Sequence, residues 1–323
     1  MAKVNSAIGI EYNSHEIKAV EIYKHSDGSL DVIAVGKEQL DNNVMGNGMI
    51  MDSTLFGVAL NELISKGKFD RNAPIIIGVN NENVIMRYAT FPKVPEDKLR
   101  GVVTMQAQDF IPVPVSELGL DFVVIDETTD DDDQPALNVL LVGARNIMLQ
   151  NLIQNFDEAK LEVVDIDSSF LAWCRVAIEE MTEEDVVGFL CLTDDVLDFV
   201  AIADKEIKMI RSINIPDRAM VEVKKAFNDP HEIITTEMEV IVDLLYSELS
   251  SSINYFQMQT GYRLNKILFS AATELEKEFA EKLAEKSYIP LTIPEFYKEF
   301  STASFDASEF AGCISLAKAA LEG

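Results

Sequence analysis

Residues 106–122 read QAQDFIPVPVSELGLDF. The two prolines of Ile111-Pro112-Val113-Pro114 lock φ and remove two backbone donors, so neither a helix nor a central strand can run through this corner. A helix predicted over 95–109 must end before it, and strands predicted over 119–125 and 137–144 must start after it. Between those strands, residues 126–133 are almost all acidic and polar and read as a solvated hairpin tip. Calcium needs carboxylates alternating with turn residues, which an unbroken Asp run does not supply. With a strand at 84–90 in front, and a helix at 146–159 and a strand at 162–167 behind, the corner sits inside a compact α/β unit.

Outward from that unit, the same order of elements occurs on both sides. Before it come short apolar or alternating runs at 7–10, 17–23 and 31–35, the last two separated by the turn pair Asp27-Gly28. Asp52 is placed to cap a helix whose apolar face is read as Leu55, Val58, Ala59, Leu63 and Ile64, and Pro74 opens a buried strand at 75–79. After it, Ser168 caps a helix reaching Glu180, and strands follow at 186–192, 196–203 and 206–213. A helix over 236–259 carries Ile241, Leu245, Leu249, Ile253 and Phe256 on one face, a strand follows at 266–270, and helices are expected at 274–286 and 307–321. Meander, helix, strand thus occurs twice, an internal duplication of architecture without repetition of sequence.

The chain has 323 residues, 48% hydrophobic, enough for two domains with sizeable cores. No run approaches the roughly 18 apolar residues of a membrane span, and residues 1–5 do not resemble a signal peptide, so a cytoplasmic protein without direct membrane insertion is expected. The net charge of −28 repels nucleic acid and anionic lipid and favours basic partners, although acidity also serves solubility. Cys174, Cys191 and Cys313 lie far apart in apolar sequence and are read as reduced core thiols, with no metal site. His15, His25 and His231 fall in predicted turns and are read as exposed. Walker, Rossmann and nucleophile-elbow motifs are missing, the Glu pairs at 179–180 and 183–184 read as a polar junction, and Trp173 reads as core.

Residues 106–122 resemble the PilM family of type IV pilus assembly proteins, whose pattern is a helix ending in acid and Gln, then Tyr-Ile-Pro-Phe-Pro, then Leu-Asp-Phe. Residues 139–173, VLLVGARNIMLQNLIQNFDEAKLEVVDIDSSFLAW, follow the same family, as do Ile17-Lys18-Ala19-Val20-Glu21, residues 249–257 (LSSSINYFQ) and the Ala311-Gly312 start of the last helix. The resemblance implies an α/β, actin-like (ASKHA, RNase H-like) fold related to FtsA. Residues 1–182 would form the first domain, with 80–160 as an inserted 1C-type subdomain and 311–323 packing back onto it, and 183–310 the second. It also implies a scaffold at the inner face of the cytoplasmic membrane. That scaffold would hold the cytoplasmic tail of a PilN-like membrane protein between insert and main body, near Met105, Phe110 and Ile111. Other assembly-platform proteins and motor ATPases would be further partners.

Three turns would hold ATP and magnesium in this fold, where glycine lets the backbone reach the phosphates and adopt positive φ. Here the first aligns with Glu11-Tyr12-Asn13-Ser14-His15-Glu16, in which Asn13 is a substitute for glycine at positive φ, Glu16 brings a carboxylate toward phosphate, and Lys18 remains. The second aligns with Cys191-Leu192-Thr193-Asp194-Asp195, a thiol replacing the magnesium-organising acid, and the third with Ser270-Ala271-Ala272-Thr273. A glycine pair expected near Pro216 is Asp217-Arg218, and the 15 glycines fall below the usual share of about 7%. A pseudo-ATPase without a catalytic residue is the expected reading. The alternatives are an ATPase using Lys18 with a relocated magnesium site at Asp194 and Asp195, or the cytoplasmic arm of a type II secretion-like machine.

Overall fold

Strand β1 (Ser6–Tyr12) turns back into β2 (Glu16–Lys24) and β3 (Leu30–Gln39), an antiparallel meander in which β1 and β2 are buried on both faces. The computed structural model describes residues 5–130, 132–193, 196–214, 235–271, 273–303 and 305–322. A short hairpin, β4 (Met45–Gly46) and β5 (Met49–Ile50), leads to α1 (Ser53–Gly67). Asp52 caps α1 by accepting from the Leu55 amide at 3.0 Å, and Lys68 ends it at φ 59°. The apolar row that α1 buries is Phe56, Leu60, Leu63 and Ile64. Leu55 and Val58, read from sequence as core, are exposed: α1 carries two adjacent apolar rows and the sheet takes only one.

β6 (Ile75–Val79) runs parallel to β1. The chain then leaves the sheet as β7 (Val84–Pro92), α2 (Glu96–Gln106), β8 (Leu118–Thr129) and β9 (Pro135–Arg145), a three-stranded unit ordered β7-β9-β8. Phe91, Leu99, Val103, Ile111 and Leu141 form its own small core. It returns through α3 (Asn146–Glu158) to β10 (Val163–Ser168), which pairs with β6, giving a first sheet ordered β10-β6-β1-β2-β3.

Helix α4 (Ser169–Glu179), capped by Ser168, crosses to the second meander of β11 (Val186–Leu192), β12 (Val196–Ala203) and β13 (Glu206–Asn214). Then come α5 (Thr235–Thr260), β14 (Lys266–Ser270), α6 (Glu274–Lys286) and β15 (Leu291–Thr292), in a sheet ordered β13-β12-β11-β14-β15. Both sheets therefore place an antiparallel meander beside two parallel strands in the same order. The last helix, α7 (Ala311–Glu322), lies against β1 and α4. Its approach requires Gly9: a Cβ there would sit 1.9 Å from the Cys313 carbonyl oxygen. Between the sheets the core is continuous, with Phe170 of α4 stacked on Phe189 of β11 at 6.1 Å and Trp173 edge-on to Phe296 at 5.9 Å.

Candidate functional site

The turn after β1, the turn after β11 and the end of β14 meet in the cleft between the two sheets. Glu11, Asn13, Lys18, Cys191, Thr193 and Ser270 all line it, together with Asn80, Trp173 and Glu276. Ser14, Ala271 and Thr273 stand outside the lining, and Asp194, Asp195, Ala272, Asp217, Arg218 and His231 lie outside the described residues. The space left is about 70 Å³, room for a few waters, whereas pockets for ligands of nucleotide size are usually about 300 Å³ or more.

What fills the cleft is a buried polar network. Glu11 accepts from Trp173 Nε1 at 3.0 Å and from Cys313 Sγ at 3.6 Å, so the first turn, α4 and α7 converge on one carboxylate. Gly312 is required at that point, since a Cβ there would fall 2.3 Å from Glu11 Oε1. Burial pushes the Glu11 carboxyl above its ordinary value, against the pull of Lys18 and the hydrogen bonds from Trp173 and Cys313. Lys18 sits opposite Glu11 on β2, 3.3 Å from Glu16 Oε1. Burial works against its charge, but Glu16, Glu11 and Glu276 together outweigh burial and hold the ammonium above its usual range. One lysine thus already faces three acidic side chains, Glu11 being held toward its protonated form, and a triphosphate would bring further negative charge to a cluster whose one cation is already paired.

The described residues of these turns have also spent donors on one another. Asn13 does not adopt positive φ, contrary to its reading as a glycine substitute. Its Oδ1 instead accepts from the amides of His15 at 2.8 Å and Glu16 at 2.9 Å, closing an Asx turn that takes up amides a phosphate would need. His15, read as exposed, is buried, its ring 2.9 Å from Ser14 Oγ. In the second turn the Thr193 amide and hydroxyl both donate to the Val196 carbonyl, at 2.9 and 3.1 Å. In the third, Thr273 and Glu276 form a reciprocal capping box on α6, at 2.8 and 3.2 Å, occupying the helix N-terminus. The Thr-x-x-Glu spacing at 273–276 was a readable signal for it. Cys191 is buried, and burial pushes its thiol far up, so it offers no anionic ligand for a cation. Among the described residues, the lining of this cleft supplies neither the space nor the free amides that ATP and magnesium would need.

One contact that sequence reasoning missed bridges the cleft, and a second within the second sheet supports it. Asn80, at the end of β6, donates to Asp198 Oδ2 on β12 at 2.7 Å, and Ser212 donates to Asp198 Oδ1 at 2.6 Å. Asp198 is fully buried, so this inter-sheet bond is shielded from water. No local motif marks such a pair, because its members lie 118 residues apart.

The family model described as "Type IV pilus assembly protein PilM" matches residues 9–194. The chain belongs to the PilM family. Among solved structures, a PilM–PilN type IV pilus biogenesis complex is similar with a TM-score of 0.81 at 18% identity, covering 99% of this chain and 100% of that one. A protein of actin-like ATPase fold and unknown function from Bacteroides thetaiotaomicron follows at a TM-score of 0.51 and 8% identity, covering 96% and 97% of the two chains. The ethanolamine utilization protein EutJ from Carboxydothermus hydrogenoformans has a TM-score of 0.50 at 12% identity, covering 97% and 89%. The fold is accordingly actin-like, and among the described residues no helix is long and apolar enough to cross a membrane.

In this PilM-family chain a second concavity remains open, between α1 of the main body and α3, the helix that brings the chain back from the inserted unit. It measures about 640 Å³ and is lined by Gly57, Val58, Asn61, Ser65, Asn155 and Ala159 among others. Small side chains keep it wide. Asn155 is buried, its Nδ2 donates to the Asn151 carbonyl at 2.8 Å, and its Oδ1 has no hydrogen-bond partner. Reversing the amide would set two oxygens against each other, so this acceptor is left without a donor beneath the groove surface, out of reach of solvent. Met105, Phe110 and Ile111 do not line this groove. Met105 and Phe110 are exposed, but Ile111, expected to touch a partner, is core: it packs with Phe91 and Leu118 because the prolines after it turn it inward.

Proposed function

We propose that this chain is a cytoplasmic scaffold of a type IV pilus assembly platform, held at the inner membrane by the tail of a PilN-like protein seated between α1 and α3, and working without ATP hydrolysis. The observation that carries the reading is the contrast between the two concavities. The nucleotide cleft is filled by its own buried side chains, while the α1–α3 groove is open and exposes Val58 in its wall. A peptide tail brings apolar side chains to cover the exposed Val58 in the groove wall. The similarity to a PilM–PilN complex supports a partner of this kind.

A synthetic peptide of the tail of a PilN-like protein from the same genome, titrated calorimetrically, tests the placement. Val58→Arg, at an exposed position that costs no core, is expected to weaken binding by at least about tenfold, some 1.4 kcal/mol. A Met105→Ala/Phe110→Ala variant should bind like the parent. Loss in that double variant with unchanged affinity in Val58→Arg would move the tail onto the inserted unit.

A further inference from the structure

Two polar ties hold α1 and α3 together, one on either side of the buried contact between Phe56 and Phe156, whose ring centroids lie 6.3 Å apart. Earlier along both helices, Asn151 of α3 clasps the residue that ends the β4–β5 hairpin. Its Oδ1 accepts from the Ile50 amide at 3.1 Å and its Nδ2 donates to the Ile50 carbonyl at 3.3 Å. Later along both, Arg71 of the loop after α1 joins the two walls directly. A single nitrogen, Nη2, donates to Asn61 Oδ1 on α1 at 3.1 Å and to the Ala159 carbonyl at the end of α3 at 2.6 Å. Asn61 and Ala159 both line the groove, so this tie fixes the separation of two points on its surface.

Each end of the Arg71 tie is itself held. Asn61 Nδ2 donates to the Gly57 carbonyl at 2.8 Å, which turns its oxygen toward the arginine. Ala159 caps α3 before Lys160 at φ 57°, so its carbonyl has no further turn to bond and lies at the negative end of the helix dipole. The loop is anchored below, where the Asp70 amide donates at 3.0 Å to Glu21, buried in β2. In a chain with 55 acidic residues, Arg71 is exposed and among the described residues pairs with none of them. Its guanidinium serves two neutral oxygens by its geometry, which a lysine, with one ammonium on a shorter stem, does not reproduce. Walls fixed in advance lower the ordering cost of a segment that fits and refuse a thicker one. With the tail seated between α1 and α3 as above, we propose that Arg71 is the positioning residue that sets the specificity of this site. It acts through Asn61 and Ala159, holding the groove at a width that admits side chains up to ordinary aliphatic size and excludes larger ones.

The test is calorimetric titration of the full chain with the synthetic tail peptide of a PilN-like protein from the same genome, and with the same peptide carrying Trp in place of its largest aliphatic residue. The parent should prefer the natural peptide by about tenfold or more, the usual consequence of overfilling a formed site. Arg71→Lys and Arg71→Ala should each weaken the natural peptide about fivefold and leave the Trp peptide unchanged, so that the preference falls to about twofold. Without peptide, amide exchange over 146–158 should be faster in both variants than in the parent. Parent-like affinity in Arg71→Lys, or an undiminished preference in Arg71→Ala, would overturn the role of Arg71 while loss of binding in Val58→Arg keeps the tail in the groove. Unchanged affinity in Val58→Arg would remove the tail from the groove, and the role of Arg71 with it.

Discussion

Glu11→Ala should unfold about 3 kcal/mol more easily than the parent protein at neutral pH, the sum of a cavity and a buried donor left unpaired. The indole of Trp173 would lose its acceptor, and Cys313 and Gly312 would face a void where the carboxylate now stands. Glu11→Gln keeps the shape and an acceptor for Trp173 and should cost far less. It should also change the pH dependence. Burial raises the Glu11 carboxyl above its ordinary 4.5, so the folded protein keeps a proton that the unfolded chain gives up. The stability this carries is complete below the ordinary value and is lost as pH climbs to the folded one. Relative to the parent, Glu11→Gln should therefore gain stability as pH rises from 4.5, which urea denaturation at pH 5 and 7.5 reads directly. Lys18 titrates in a different window: its folded value is raised, so its contribution is lost only in alkali. Equal pH dependence in parent and Gln variant would contradict a buried, proton-retaining Glu11.

Gly9→Val is expected to cost about 3 kcal/mol, at the top of the usual range for overpacking. The clash is with backbone: the Cys313 carbonyl oxygen at 1.9 Å and the Ala317 nitrogen at 2.9 Å from the added Cβ. No rotamer change relieves it, so α7 must lift from β1. Because Cys313 and Gly312 travel with α7, the same substitution withdraws the partners of Glu11. Limited proteolysis should cut the variant first near the α7 connection, while Gly57→Ala, on an open stretch of α1, should leave the pattern unchanged. A Gly9→Val protein as stable as the parent would mean that α7 is not held at this distance.

Much of the actin-like fold was legible because its signals are local. Alternation marked both meanders, helical spacing marked α5, and the proline corner marked the inserted unit. Selection between equivalent local patterns was not legible. α1 has two apolar rows, and only the sheet decides that Phe56 and Leu60 go inside while Val58 is left to line a groove. Ile111 looked like a surface anchor beside a proline corner and is core, because a corner also aims side chains inward. At the cleft, the residues that replace the usual glycines could be named from alignment, but not what they do. Glu11 is satisfied by Cys313, 302 residues away, and Asn13 works through its side chain rather than through positive φ. Such closures depend on chain segments brought together only in the folded state, which no periodicity encodes.

The central claim is that this cleft is closed to nucleotide by its own buried side chains. Calorimetric titration of the full chain with ATP and magnesium at neutral pH tests it most directly. No binding heat is expected up to about millimolar ATP, where Kd corresponds to only about 4 kcal/mol. Saturable binding with a micromolar Kd, lost on Lys18→Ala, would contradict it and restore a nucleotide cycle to this protein.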